Sequence, residues 1–404
     1  MIFEKASINF NSFLEKIKTE LDSILTYWEM NTIDEKFDGF IGEIDSNDVK
    51  NESADKGSVL NARILWSFSA AYPVTQNPNH LVLAEKAFNY INTYFYDPEF
   101  GGIFWSVNPD GTSKDTKNQI YALAFTIYGL SEFYKVSQNN EALQLAINLY
   151  NAIEKYSFDQ VNKGYFEAFT RNWEPIEDLR LSDKDANEKK TMNTHLHIVE
   201  AYANLYQVWP GEELKNRIKE LLIVIDTYFI DKNSWHLKLF FNENWVEKPD
   251  VISYGHDIEA AWLLQWCAEV IDDNNLIKVF QKYAVEIAKV TKEGIDVDGG
   301  LWYEFDPKEN IMIAEKHWWP QAELWIGMIN AWQLTAEEDF LRITQENFEF
   351  VQNYIIDKKN GEWFWGINED YSKIPKDKAG FWKCPYHNTR ACLELIKRLK
   401  VTTT

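Results

Sequence analysis

The sequence predicts an all-α fold: an (α/α)6 barrel of six inner and six outer helices with short β-hairpins in the loops, occupying residues 1–404 as a single catalytic domain. Three observations predict it. A short aromatic segment, often led by glycine, returns six times, at 37–42, 101–105, 164–169, 235–241, 299–305 and 361–365, a period of roughly 60–70 residues that marks a repeat architecture. Two helical patterns separate successive segments, one amphipathic and the other apolar almost all round. The 11 prolines and 17 glycines are scattered, so no Pro-rich or Ser/Gly-rich linker divides the chain.

Each aromatic segment clusters or alternates its rings over about five residues, as a short strand or hairpin does. The run 81–94 is typical of the amphipathic kind, with its charges on one side. The apolar runs are 60–72, 120–134, 192–209, 258–270, 322–334 and 390–399, the last more charged. A helix apolar on all sides is buried on all sides, so six inner helices are predicted inside six outer ones. A solenoid would need end repeats that look like caps, and these do not.

Polar residues fall at one end of each inner helix. The first carries Arg63, the second Tyr121, and the third Asn193 and His197. The fourth opens on His256 and Glu259, the fifth on Trp318-Trp319-Pro320-Gln321, and the sixth on His387. Pro320 and Pro385 support these starts, because proline favours the first turn or the residues just before it. If the six helices run parallel, these groups converge on one mouth of the barrel. A lone histidine on an apolar helix is usually a hydrogen-bonded core residue; six such coincidences point to a shared site.

Composition narrows the chemistry. With 45% hydrophobic and 26% charged residues the chain reads as a soluble globule. Its 17 tryptophans suit both core filling and stacking on sugar rings. A net charge of −22 argues against nucleic acid and anionic membrane surfaces as partners. Cys267, Cys384 and Cys392 have neither metal-ligand spacing nor a disulfide pattern. Met1 to Lys5 show no signal pattern, and no apolar run approaches membrane-spanning length. A cytoplasmic monomer is expected.

His256 and Glu259, three apart, share a helix face, where a carboxylate would orient an imidazole as a general acid/base. His195 and His197, two apart, point to different sides and cannot chelate one ion, and no His-Glu-x-x-His run exists, so no metal is expected. Phosphate-binding glycine loops and a serine nucleophile elbow are absent. Among carboxylates available for glycoside hydrolysis (Asp185, Glu259, Glu323), only Glu259 clearly faces the inferred mouth. Several histidines, one arginine and few carboxylates suit moving a proton on and off carbon beside a carbonyl, with the cation holding the enediolate oxygen. A helix N-terminus would keep His256 and His387 uncharged. Two bases give epimerisation and one shuttling base gives aldose–ketose isomerisation; a glycosidase or lyase, or a non-catalytic sugar-binding protein, also remains open.

The runs 190–197, 253–260, 318–323 and 382–388 resemble the cellobiose 2-epimerases of the N-acylglucosamine 2-epimerase superfamily, over about residues 25–399. The resemblance implies cofactor-free, reversible epimerisation at C2 of the reducing-end sugar of β-1,4-linked disaccharides, cellobiose to glucosyl-mannose and lactose to epilactose. It implies that His256 and His387 exchange the C2 proton through a cis-enediolate, with Glu259 as the partner of His256. His197 matches a third catalytic histidine and Arg63 the stabiliser of the enediolate oxygen. Tyr121 and Asn193 match hydroxyl-binding residues, Asp185 a carboxylate that contacts the sugar, and Trp319 and Trp382 the stacking tryptophans. The loop 183–190 is expected to shape the site of the second sugar.

Overall fold

A computed structural model describes residues 10–249 and 251–402; Met1 to Lys5, read above for a signal pattern, lie outside the described residues. The described residues form twelve α-helices: α1 (Phe10–Asn31), α2 (Ser58–Thr75), α3 (Pro78–Tyr90), α4 (Ile120–Ser137), α5 (Asn140–Ala152), α6 (Met192–Tyr206), α7 (Glu212–Val224), α8 (Tyr254–Val270), α9 (Asn274–Thr291), α10 (Trp318–Thr335), α11 (Glu338–Phe350) and α12 (Tyr386–Thr402). Helices α2, α4, α6, α8, α10 and α12 pack each on the next, and α12 returns onto α2 to close the ring. Outside them lie α3, α5, α7, α9, α11 and α1, each packed mainly against one inner helix, with α3, α7 and α9 also touching the next. Burial follows this sorting: 13 of the 17 residues of α8 are buried, against 5 of the 18 of α9. The chain is an (α/α)6 barrel, as its apolar periodicity predicts. Among the described residues no helix is long and apolar enough to cross a membrane.

Three inner helices begin one turn earlier than their apolar runs suggest, at Tyr254, Trp318 and Tyr386 rather than 258, 322 and 390. The reason is physical. Their first turns carry polar side chains toward the barrel axis, so the apolar signature starts late.

The aromatic segments, expected as short strands or hairpins, each make an antiparallel bridge to the residues before them: Ile33 to Phe40, Tyr96 to Ile103, Phe158 to Tyr165, Ile230 to Leu237, Ile295 to Leu301 and Ile356 to Trp363. Three also run into short paired strands, at Ala168–Phe169, Phe240–Phe241 and Glu304–Asp306. An aspartate opens each turn and accepts a following backbone N–H: Asp34, Asp97, Asp159, Asp231, Asp296 and Asp357. In the turns at 97–102, 159–164 and 357–361 the glycine that follows sits at positive φ (Gly101 +72°, Gly164 +75°, Gly361 +88°), a conformation other residues resist. Buried lysines then lock several of these aspartates: Lys56 to Asp34 (2.7 Å), Lys190 to Asp159 (2.8 Å) and Lys316 to Asp296 (2.6 Å). Each lysine lies two residues before an inner helix, in a two-residue strand paired with the following repeat.

The fourth residue of three inner helices completes the attachment. His195 Nε2 accepts the N–H of Tyr165 (2.9 Å), Asp257 that of Leu237 (2.8 Å), and Gln321 that of Leu301 (2.8 Å). These are the bridged residues of the aromatic segments, which are therefore hung from the first turns of the inner helices. Burial pushes His195 down to about 3, as suits a neutral acceptor.

Candidate active site

Counted from the first residue of each inner helix, the second and sixth positions face the barrel axis, four apart and so on one face. The second positions supply Tyr121, Asn193, Trp319 and His387; the sixth supply Arg63, His197, Glu259 and Glu323. His256 is the third residue of α8. The N-terminal ends of the inner helices open on one cavity of about 610 Å³, a size typical of small-molecule sites. All ten residues singled out in the sequence line it: Arg63, Tyr121, Asp185, Asn193, His197, His256, Glu259, Trp319, Trp382 and His387.

Two of the histidines are held by carboxylates from their own or a neighbouring helix. His387 Nδ1 lies 2.7 Å from Glu323 Oε1, and His197 Nδ1 lies 2.8 Å from Glu200 Oε2. An ionised carboxylate only accepts, so Nδ1 of each ring carries the hydrogen and Nε2 keeps its lone pair. Burial, ahead of nearby Arg63 and Arg390, outweighs the Glu323 contact and pushes His387 down to about 3. His256 is also pushed down to about 3, by burial first and then by Lys184, His197 and His387. Burial, rather than a helix N-terminus, is the main cause keeping these bases uncharged.

The expected pairing of His256 with Glu259 does not form. His256 Nδ1 instead meets Ser253 Oγ at 2.8 Å, and Glu259 Oε1 accepts from Arg390 Nη2 at 2.6 Å. Both side chains line the cavity, but a buried guanidinium attracts a carboxylate more strongly than a neutral imidazole does. Arg390, 1% exposed, is the centre of the floor: it also bonds Glu200 (2.5 Å), Glu323 (2.6 Å) and the Tyr386 hydroxyl. The site is therefore richer in carboxylates than the sequence suggests, and they are partly neutralised from below. Glu323 is held low because Arg390 and His387 together overcome its burial, whereas burial and the Glu323 charge push Glu259 up.

Arg63 has no such partners. Its Nη2 donates to the Tyr121 hydroxyl (2.7 Å), its Nη1 approaches Cys384 Sγ (3.8 Å), and its guanidinium lies 4.1 Å from the Phe125 ring centre. These groups are neutral, so the cavity wall presents a buried positive charge. Nε of Arg63, Oδ1 of Asn193 and the indole N–H groups of Trp318 and Trp365 find no partner within the protein, although all four residues line the cavity. Such groups call for a ligand rich in hydroxyls. Trp319 packs against His256 and His387, at 4.7 and 5.7 Å between ring centres, and Trp382 stands beside Tyr121. Asp185 lies on the outer wall, where its carboxylate accepts from the N–H and hydroxyl of Ser182. On the same loop Lys184 meets Tyr303 and Glu304 across the opening.

Residues 39–391 match the N-acylglucosamine 2-epimerase family. The chain belongs to that family. It is accordingly an isomerase of the carbohydrate-epimerase class. It is 44% identical to the cellobiose 2-epimerase of Bacteroides fragilis over 95% of this chain and 98% of that one. It is 36% identical to that of Dictyoglomus turgidum, over 96% of this chain and all of the other. The solved cellobiose 2-epimerase of Bacillus thermoamylovorans superposes with a TM-score of 0.91 at 38% identity, covering 96% of this chain and 100% of that one.

For this member of the epimerase family, Glu259, Glu323 and His387 are the described residues whose donor atoms come close enough to share a metal ion, all within 4.8 Å. Both carboxylates already bond Arg390, so positive charge is supplied there by a guanidinium, and the donor set does not fit a cation. Glu200, Arg390 and Ser253 were not singled out by sequence reasoning, and Glu323 was weighed as a carboxylate but not placed at the mouth. Glu200 and Glu323 lie three and four residues past lumenal side chains, on the same face, and that spacing was the available signal. Arg390 was counted into the more charged last helix.

Proposed function

We propose that this protein catalyses reversible, cofactor-independent epimerisation at C2 of the reducing-end sugar of β-1,4-linked disaccharides, cellobiose to glucosyl-mannose and lactose to epilactose. It would do so as a monomer with one catalytic domain. The observation that carries the reading is a pair of uncharged imidazoles, His256 and His387, on one cavity whose only buried cation with wholly neutral partners among the described lining residues is Arg63. The names of the relatives supply cellobiose; lactose is included because it carries the same β-1,4 linkage.

In this reading the sugar ring opens and one imidazole takes the C2 proton; the C–H electrons form the C1–C2 double bond and the carbonyl electrons move onto O1. Arg63 stabilises the resulting cis-enediolate, and Tyr121, whose oxygen accepts from Arg63, keeps its own proton to donate. Rotation about C2–C3 exposes the other face. The second imidazole, protonated beforehand from solvent, delivers that proton to C2 as the carbonyl re-forms, and the first returns its own to solvent. Each turnover thus moves one proton onto one histidine and off the other. Carboxylates on Nδ1 steady the imidazolium states of His387 and, for transfers near O1 and O2, His197. Glu259 acts from the floor beside His387, Asn193 and Asp185 hold hydroxyls, and Trp319 and Trp382 stack on the sugar.

The same cavity could serve aldose–ketose isomerisation by one base. Glycoside hydrolysis fits less well, because Glu259 and Glu323 bond the same guanidinium nitrogen, side by side, rather than flanking the place of a glycosidic bond. Incubation with cellobiose and with lactose separates these readings: the C2 epimer is expected as the main product. Glucose release would favour hydrolysis, a ketose as main product would favour the isomerase, and no epimer from any β-1,4-disaccharide would overturn the proposal.

A further inference from the structure

The two imidazoles are held in different ways, and the difference centres on Ser253. This serine stands at the N-cap of α8, where a hydroxyl ordinarily accepts a backbone N–H of the first turn. Thr191, in the same position before α6, does so, accepting from Thr194 N at 3.2 Å. Ser253 makes no such cap; its Oγ turns instead to His256 Nδ1 at 2.8 Å. It is 1% exposed, and its backbone pairs with Glu304 across a short strand, so the hydroxyl has a fixed origin.

We propose that Ser253 is a positioning residue for the proton exchange: it orients the His256 ring with a neutral hydroxyl where His387 has a carboxylate, so that no anion bonded to the ring steadies the His256 imidazolium. The inference rests on the epimerase reading above. The hydroxyl holds the ring by Nδ1 and, as an acceptor of the Nδ1 hydrogen, leaves the Nε2 lone pair available, but it brings no negative charge to stabilise an imidazolium. The charged and titratable groups around His256 do not substitute for one. Lys184, His197 and His387 disfavour its protonation, and Glu323, which favours it, is the weakest of these influences and is already bound by His387 and Arg390. The nearest aromatic face, Trp319, is neutral.

Three substitutions test this in the full-length protein, with deuterium incorporation at C2 of cellobiose in deuterated water as the first readout. Ser253→Ala is expected to lower kcat by about tenfold with little change in KM, the scale seen when a histidine loses its orienting partner. Ser253→Thr keeps the hydroxyl and should restore most of the rate. Ser253→Asp gives His256 a carboxylate like that of His387, and should move the acid limb of kcat/KM upward by about one pH unit or more, with a matching change in the ¹⁵N titration of the labelled histidine. A serine that merely completes the fold would lower melting temperature and leave the pH profile in place. Wild-type kcat and pH profile in both the alanine and the aspartate proteins would overturn the inference, as would an alanine protein that threonine does not outperform. If the aspartate protein fails to fold, the alanine–threonine comparison of kcat against KM decides. Absence of C2 exchange in the unsubstituted protein would instead sink the epimerase reading itself.

Discussion

At the scale of single residues, charge assigns the roles of three carboxylates around one arginine. Glu200 and Glu323 each accept from an imidazole and must be ionised, whereas burial and the neighbouring Glu323 charge push Glu259 up, toward its protonated form. Glutamine mimics a protonated glutamate but cannot be an anionic acceptor. Glu259→Gln is therefore expected to keep activity within about tenfold, while Glu323→Gln, which leaves His387 without a charged partner, should lose about 10–100-fold; steady-state kinetics on cellobiose distinguish them. Replacing either base, His256→Asn or His387→Asn, should cost about 10²–10⁴-fold in turnover. Sugar binding measured by calorimetry should survive in both, as it would not if these residues only bound substrate. The sequence exposed the histidines, Arg63, Tyr121, Asn193 and Glu259 because each interrupts an apolar helix, whereas Asp185 and Trp382, on loops, took their roles only from the family resemblance. It did not reveal their partners. His387 and Glu323 are 64 positions apart, and nothing in the local pattern distinguishes Arg390, under the site, from a surface charge.

At the scale of elements, the start of α6 depends on Glu167, which stands in an aromatic segment and lines the cavity. It accepts from Thr191 N (2.8 Å) and Thr194 Oγ1 (2.5 Å), and burial pushes it up to about 8. A carboxyl whose folded value lies above its unfolded one favours the folded state at low pH, and that contribution is lost as pH rises toward the folded value. Melting temperature should therefore fall between about pH 5 and pH 8, and Glu167→Gln should flatten that fall; an unchanged slope would contradict the assignment. The helices themselves were legible from their periodicity, yet three were read one turn short. The missing turns are those that carry the site, where function replaces apolar residues with polar ones. The aspartate turns and buried lysines escaped notice because, in sequence, such residues look like an ordinary solvated loop.

At the scale of the whole molecule, the repeats make a closed barrel only if the last meets the first. Glu362 stands at that seam. It accepts from Trp28 of α1 (2.5 Å), from Lys383 (2.7 Å) and from Asn388 of α12 (2.7 Å), all buried. Glu362→Ala would leave Lys383 buried without its charge partner, a loss of about 3–5 kcal/mol in denaturant unfolding. Because α12 carries His387, activity should fall at temperatures where the other repeats remain helical by circular dichroism. The sixfold rhythm of the sequence showed that a ring would form; the bond that closes it, Trp28 to Glu362, joins residues 334 positions apart and could not be read from any one repeat.

The central claim is that two histidines exchange a proton at a sugar carbon. It is tested most directly by following cellobiose in deuterated water by NMR. The account predicts glucosyl-mannose with deuterium at C2 of the reducing sugar and protium retained at C3, with the signal abolished in His256→Asn and in His387→Asn. Epimer formed with C2 protium fully retained, or undiminished exchange in both histidine variants, would contradict it.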